Sequence, residues 1–204
     1  MLIGPKYKIC KRLGASVFEK CQTQKYQLAE ARAPRKISRG KRGGGSDYGA
    51  QLLEKQKARF TYGLTESQFY RYASEAMEKH GKDSSLALLS RLEARLDNTV
   101  FRAGLVKTRR AARQLVGHGH VTVNGRRVNI PSYKVAPGEV IAVRQESRQS
   151  PLFANRAEAA AETKLPNWLA PSEDGFGVTV KAEPTLSETE LPFNAGVVIQ
   201  FYSR

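Results

Sequence analysis

The sequence predicts an α+β fold: a helical N-terminal domain, then a helix-helix-β-hairpin domain with a small, mostly antiparallel sheet. Three observations carry that prediction. Apolar residues recur with helical period, most cleanly at Phe69, Tyr72, Ala73, Ala76 and Met77, spaced i, i+3, i+4, i+7 and i+8. Asn124-Gly125 stands between Val121-Thr122-Val123 and Arg126-Arg127-Val128, the pattern of a two-residue hairpin loop whose central residues take positive φ. A Pro137-Gly138 turn then leads into another strand-like stretch, Val140 to Val143.

The chain has 204 residues, enough to bury roughly 70% of its unfolded surface without a disulfide or metal. Its 34 Lys and Arg against 19 Asp and Glu leave a net charge of +15, which calls for a polyanionic partner, either nucleic acid or an anionic membrane face. No run of about 18 apolar residues occurs, and the start, MLIGPKYKICKRLG, lacks the apolar core of a signal peptide. A soluble, unprocessed chain is therefore expected. Only Cys10 and Cys21 are present, so a reducing compartment is the simpler assumption. Residues 1 to 150 hold 30 basic and 12 acidic side chains, net +18, whereas residues 151 to 204 hold 4 and 7, net −3. The polyanion-binding surface belongs to the first three quarters.

Residues 32 to 42, RAPRKISRGKR, carry six basic groups and no acid before Gly43-Gly44-Gly45. Such a stretch cannot bury enough to fold alone. It reads as a solvated linker or as an arm that orders on a phosphate backbone, and its charge density favours the arm. Gly40 and Gly45 have P-loop spacing, but Ser46-Asp47 replaces the required Lys-Ser/Thr.

From Ala50 the pattern is helical up to a break at Tyr62-Gly63-Leu64. Thr65 with Gln68 three residues on forms a capping box that opens the Phe69 helix, and Gly81 after His80 closes it. Its aromatic stripe reads as packing, with exposed Tyr70 beside Arg71 as the one stacking candidate. A longer helix is predicted over Leu86 to Ala103. With Leu89 at zero, Leu92, Leu96 and Val100 lie within roughly 60° of it, and Arg91, Arg95 and Arg102 cluster at about 200 to 240°. Gly104 suits the position after a helix end, and Thr108 can cap a short helix through Val116 that Gly117 ends. On that helix Arg109, Arg110 and Arg113 share one side, with Ala111, Ala112, Leu115 and Val116 on the other. Farther on, residues 152 to 163 read as an Ala and Glu-rich helix ending before Pro166. Val178-Thr179-Val180 reads as a strand. Val197 to Tyr202 reads as a last apolar strand adding to the same sheet.

What is absent from the middle of the chain matters most. Between Asp97 and Glu139 there is no acid, while Arg102, Lys107, Arg109, Arg110, Arg113, Arg126, Arg127 and Lys134 supply eight positive charges. A solvated surface normally mixes signs, so this window predicts nucleic-acid contact. Other chemistries lack their parts. Cys10 and Cys21 form no C-x-x-C pair, and His118 and His120 have no nearby third ligand, so no metal site is expected. The same window offers those histidines no local carboxylate for a catalytic triad. They read as polar donors beside a bound nucleic acid, or as spacers between helix and strand.

Specific residues carry a family resemblance. Arg95-Leu96-Asp97-Asn98, Arg102, Gly104, Thr108-Arg109, Ala112 to Val116, His118, Val123-Asn124-Gly125 and Val128-Asn129-Ile130 resemble the helix-helix-hairpin RNA-binding domain of bacterial small-subunit ribosomal protein four. Ser46-Asp47-Tyr48-Gly49, Gln51-Leu52, Glu54 to Lys57 and Tyr62-Gly63 resemble that family's helical region, and Pro166 to Trp168 and Tyr202-Ser203 also match. The hairpin domain alone is shared with pseudouridine synthases, tyrosyl-tRNA synthetases and a heat-shock protein. The SDYG and EKQK stretches resemble the ribosomal family specifically.

The resemblance implies a non-enzymatic constituent of the small ribosomal subunit. It would be a primary binder of 16S rRNA that nucleates assembly of the subunit body and contributes to translational accuracy. The implied neighbours are small-subunit proteins three, five and twelve, with no membrane and no homo-oligomer. The setting would be a cytoplasmic ribosome, a plastid ribosome being equally compatible. Some members carry a cysteine-rich zinc knuckle near the start; with only Cys10 and Cys21, this chain is predicted to be the zinc-free form without cofactor. The rival is an RNA-modifying enzyme bearing the same domain as an appendage, which would need a catalytic domain that the remaining residues do not supply.

The expected organisation is a basic extended region over 1–45, a helical domain over 46–90, the helix-helix-hairpin domain over 91–150, and a C-terminal helix and strands over 151–204 packing on both. RNA-binding candidates in the arm are Arg35, Lys36, Arg39, Lys41 and Arg42. In the helical region they are Ser46, Tyr48, Lys55, Lys57, Arg59 and Arg71. In the hairpin domain Arg91, Arg95, Arg102, Arg109, Arg110, Arg113, Arg126 and Arg127 are expected on phosphates, with Lys107, Thr108, Gln114, His118 and Asn124 as further contacts. Structured RNA is read largely through shape and sugar-phosphate contacts, so the placement of charge matters more than a base code.

Overall fold

The structure, a computed structural model, describes residues 4–32, 46–78, 83–153, 165–172, 174–185 and 191–203. The basic stretch 33–45, Gly81 and the Ala and Glu-rich segment expected to be helical over 152–163 lie wholly or mostly outside them. The chain forms two compact units, Met1–Leu88 with Ser187–Arg204, and Leu89–Leu186. As expected from the sequence, the architecture is α+β, with helices and, among the described residues, a single antiparallel sheet.

The first unit is helical. Helices α1 (Lys6–Leu13) and α2 (Gln24–Arg32) occupy a region expected to be extended. Their sequences are basic, but Cys10, Leu13, Val17, Phe18, Cys21, Tyr26 and Phe60 form a buried cluster that the chain reaches only by folding. Both cysteines are thus packing residues. Helix α3 (Asp47–Tyr62) begins where the Ser46 side chain accepts a hydrogen bond from the Gly49 amide and ends at Gly63, φ 61°. Helix α4 (Glu66–Met77) starts with the Thr65 hydroxyl accepting from the Gln68 amide, and its stripe Phe69, Tyr72, Ala73 and Ala76 is buried as predicted.

The C-terminal segment overturns an expectation. Residues Ala195–Tyr202 are not a sheet strand but a helix, here α8, capped by the Asn194 side chain accepting from the Val197 amide. The β-branched run Val197-Val198-Ile199 favours a strand locally. Tertiary contacts override it. Phe201 meets Tyr48 at 5.6 Å between ring centroids, and Tyr202 meets Phe69 at 6.1 Å and Tyr70 at 5.6 Å. The Asn194 amide also donates to Glu54 on α3 at 2.8 Å.

Ahead of the sheet in chain order, α5 (Ser84–Glu93) and α6 (Leu96–Arg102) replace the single helix predicted over 86–103. The break has a clear cause. Arg95 is extended, φ −76° and ψ 138°, and pairs as a β-bridge with Lys134. The Val135 amide donates to Ala94 O, and the Leu96 and Asp97 amides donate to Tyr133 O and Pro131 O. The backbone on both sides of Arg95 therefore bonds to a distant loop, which a helix through this point would forbid.

Helix α7 (Arg109–Gly117) begins as expected, with the Thr108 hydroxyl accepting from the Ala111 amide. The residue that turns the chain out of it is not Gly117 but Gly119, which takes the left-handed conformation at φ 75°. Strands β1 (Val121–Val123) and β2 (Arg126–Arg127) form the predicted hairpin, with Asn124 at φ 50° and Gly125 at φ 78°. Strand β3 (Val140–Val143) pairs with β1, then β5 (Gly177–Val180) with β3, and β4 (Leu169–Pro171) with β5, all antiparallel, in the order β2-β1-β3-β5-β4. One face packs Val121, Val123, Ile141, Val143, Val178 and Val180 against Leu96, Val100, Ala112, Leu115 and Val116, with Trp168 in the same core. This core holds α7 and the hairpin in one rigid arrangement.

Candidate nucleic-acid interface

The exposed cations of the sheet-bearing unit include Arg110 on α7 and Arg126 and Arg127 on the hairpin. Arg110, Gln114 and His118 are exposed along and just beyond α7, and Asn124, Arg126 and Arg127 are exposed at the hairpin. Lys107 and Lys134 are exposed as well. Among the described residues Arg110 and Arg126 have no acidic partner. Arg127 links the two elements: its guanidinium donates to His118 O at 3.2 Å and lies directly over Gly119, where a Cβ would displace it. At the turn, Asn124 Oδ1 accepts from the Val140 amide at 2.9 Å, which fixes the side chain's orientation. The histidine pair separates by environment: His118 is exposed, whereas half-buried His120 bonds through Nδ1 to Ser147 Oγ at 2.9 Å.

The acids that border the acid-free window turn inward. Glu139 accepts from the Tyr133 hydroxyl at 2.6 Å and the Ala136 amide at 2.8 Å. That contact, more than burial, holds the Tyr133 phenol above its ordinary pKa. Glu93 is fully buried and Asp97 nearly so, at 0% and 4% exposed. Buried carboxylates require partners, and here the partners are arginines. Arg102 donates through Nε and Nη2 to the two Glu93 oxygens at 2.8 and 3.2 Å. Arg95 does the same to Asp97 at 3.0 and 2.8 Å. Arg113 donates from Nε to Asp97 Oδ2 at 2.8 Å. Arg109 donates from Nε to Asn98 Oδ1 at 2.8 Å, and Asn98 Nδ2 in turn donates to Glu93 Oε2 at 2.7 Å.

These contacts correct the expected basic face. Arg95, expected on phosphate, is instead 2% exposed and paired with Asp97. The face drawn through Arg91, Arg95 and Arg102 does not exist, because the helix that would have aligned them is broken at Arg95. Arg91 is half-buried on α5. Arg102, Arg109 and Arg113 keep side-chain exposures of 19%, 20% and 32%. The Thr108 hydroxyl accepts from the Ala111 amide at 3.0 Å as the helix cap. The sequence pattern does not reveal Glu93, Asp97 and Asn98 as the partners of these arginines; two acids just ahead of a long acid-free run are the available signal.

In the helical unit the candidates are largely engaged. Lys55, expected on phosphate, is buried, 2.6 Å from Glu66 and 4.7 Å from the Phe201 ring centroid. Lys57 pairs with Glu54 at 2.6 Å, and Arg59 with Glu66 at 3.4 Å while covering the Phe60 ring. Ser46 caps α3, Tyr48 is exposed beside Phe201, and Arg71 is exposed. Burial raises the Glu66 pKa, but hydrogen bonds from Lys55 and Tyr202 and the charges of Lys55 and Arg59 outweigh it, leaving a net value below the ordinary one. Burial, followed by the bond to Glu66, holds the Tyr202 phenol above its usual pKa. The arm residues Arg35, Lys36, Arg39, Lys41 and Arg42 lie outside the described residues. Among the described residues no group of three or more His, Cys, Asp or Glu could hold a metal ion, and no helix is long and apolar enough to cross a membrane.

Comparison with known proteins matches both units. Residues 1–93 match the Ribosomal protein S4/S9 N-terminal domain, and residues 94–141 match the S4 domain. Relatives named small ribosomal subunit protein uS4 include those of Persephonella marina, 44% identical over 98% of both chains, and Roseiflexus castenholzii, 45% identical over 99% of this chain and 98% of the relative. The Thermus thermophilus relative is 42% identical over 99% and 98%. With both family domains in order and such identity along its length, the chain belongs to the small ribosomal subunit protein uS4 family.

Proposed function

We propose that this chain is a structural, non-enzymatic constituent of the small ribosomal subunit, a primary binder of 16S rRNA that nucleates assembly of the subunit body and contributes to translational accuracy. The observation that supports this best is the cation surface of α7 and the hairpin, held rigid by a common core and presented by a chain of the uS4 family. Arg110, Arg126, Arg127 and Lys107 contact phosphates of a folded RNA junction, Arg102, Arg109 and Arg113 add a second row, and Gln114, His118 and Asn124 supply polar contacts to sugar or base. Arg35, Lys36, Arg39, Lys41 and Arg42 add further phosphate contacts, and Tyr48, Lys57, Arg59 and Arg71 form a lesser surface on the helical unit. Small-subunit proteins three, five and twelve are the proposed neighbours, in a cytoplasmic or plastid ribosome.

The exposed arginines make the cleanest test, because replacing them removes no internal ion pair. The variant R110E/R126E/R127E should fold normally yet bind 16S rRNA more weakly by orders of magnitude. Its log-log salt dependence should flatten by roughly 0.7 to 0.9 for each phosphate no longer neutralised. Binding equal to wild type, or tagged protein sedimenting away from the small subunit, would refute the proposal.

A further inference from the structure

We propose that Glu93 and Asp97 are positioning residues of the RNA surface: their buried carboxylates fix Arg102, Arg109 and Arg113 as a preformed array for phosphate oxygens. The inference rests on the RNA-binding reading above and adds what sets the geometry of that site.

The two carboxylates lie at the end of α5 and in the first turn of α6, and they hold four arginines, Arg95 among them. Glu93 takes both Nε and Nη2 of Arg102, and through Asn98 it takes Nε of Arg109. Arg109 is clamped from its other side by the Phe101 ring, whose centroid is 4.4 Å from the guanidinium carbon. Asp97 receives Arg113 through Nε at 2.8 Å and Nη2 at 2.7 Å. Arg102 is fixed in position and in plane by forked donation to Glu93, Arg113 is held by two nitrogens on one Asp97 oxygen, and Arg109 is held between the Asn98 amide oxygen and the Phe101 ring.

Stability alone is a poor account of this network. Buried ion pairs are often matched or bettered by apolar side chains of similar volume, and an apolar core already joins α6 and α7 through Val100, Ala112 and Val116. What only the carboxylates supply is the orientation of charged heads that reach solvent. Arg102, Arg109 and Arg113 are partly exposed, whereas the acids beneath them are not. Four cations on two anions leave the cluster positive, so it still attracts phosphate. Pre-ordering the long side chains lowers the entropy cost when RNA binds.

The sign of one experiment separates positioning from simple charge balance. Glu93→Gln and Asp97→Asn each raise the net charge by one while keeping shape. If these acids only neutralised nearby cations, each variant would bind 16S rRNA as tightly as wild type or more tightly. As positioning residues, their replacement should weaken binding roughly tenfold despite the added positive charge. The salt dependence should become shallower, because fewer phosphates are engaged together. Partial unfolding would lower the active fraction and leave that slope unchanged, so active fraction is titrated and melting is recorded for each variant. Glu146→Gln makes the same charge change at an exposed acid paired with Arg144 and should not weaken binding. Asp97→Glu keeps the charge and moves it by one methylene; it decides the matter if the neutral variants do not fold, and weaker binding with a shallower slope is again expected. Folded variants with wild-type or higher affinity would overturn the inference. If they retain affinity while R110E/R126E/R127E does not, only the positioning role fails; if that triple variant also binds normally, the RNA-binding reading itself fails.

Discussion

Helix α3 carries Lys55, Lys57 and Arg59 within about one turn, and α7 carries Arg109, Arg110 and Arg113 within a similar length. The sequence makes them look equivalent. In the helical unit the acids that meet the cations are at the surface: Glu66 keeps 44% and Glu54 21% of side-chain exposure, while Lys55 is pulled down to 7%. In the sheet-bearing unit the order is inverted. Glu93 and Asp97 keep 0% and 6%, while Arg113 and Arg109 retain 32% and 20%. Lys55 beneath the partly exposed Glu66 is withdrawn from solvent and Arg113 above the buried Asp97 is not, whereas Lys57 and Arg59, at 19% each, are as exposed as Arg102 and Arg109 at 19% and 20%. The number of basic residues on a helix therefore does not state how far each of them reaches solvent, which depends on the depth of the carboxylate it meets.

The largest stability effect that would sharpen this contrast lies in the platform under α7. Leu115 is 4% exposed in the same core as Trp168, so Leu115→Ala should cost about 3 kcal/mol. The change should appear in urea unfolding followed by the fluorescence of Trp168, the chain's single tryptophan. An unmoved transition would break the claim that this core fixes the arginine surface.

A smaller effect tests the buried cation of α3. Lys55→Ala removes the partner of Glu66 and the charge against Phe201, and should cost about 2 kcal/mol, less than a fully buried pair because Glu66 is partly solvated. The salt slope of RNA binding should not change. A slope shallower by roughly 0.7 to 0.9, the increment of one phosphate, would restore Lys55 to the RNA surface and undo the comparison.

The smallest effect is one of pH. The Glu66 carboxyl lies below its ordinary pKa despite burial, so its contribution is present above the unfolded value and disappears as pH falls through the lower folded value. Glu66→Gln should therefore be less stable than wild type near neutrality by under about 1 kcal/mol. The difference should shrink on acidification into that window. A gap that widens toward low pH would show the sign to be wrong.

Much of this fold is legible locally. Thr65 and Thr108 cap helices through bonds spanning three residues, and Gly63 and Gly104 take the positive φ that ends helices, whereas the Ser46 cap starts α3 at Asp47, ahead of the Ala50 read from periodicity. Asn124-Gly125 and the Val140–Val143 strand follow from turn chemistry and alternation. The errors share a different cause. The helix over 86–103 is broken by backbone bonds to residues 131–135, and the last strand is a helix because α3 and α4 offer its aromatic rings a surface. Arg95 shows the consequence for the site: in an unbroken helix it would face solvent, and in the bridge it is 2% exposed.

The sequence by itself determined the helices opened by Thr65 and Thr108, the Asn124-Gly125 hairpin, the excess of positive charge and where it is concentrated, because caps, turns, periodicity and composition act within a few residues. Only the tertiary structure decided which cations reach solvent. That outcome depends on where Glu93, Asp97, Glu54 and Glu66 lie in depth, and depth is set by packing between segments far apart in the chain. A carboxylate that leaves water must find cationic partners, and no local pattern states which arginines those are.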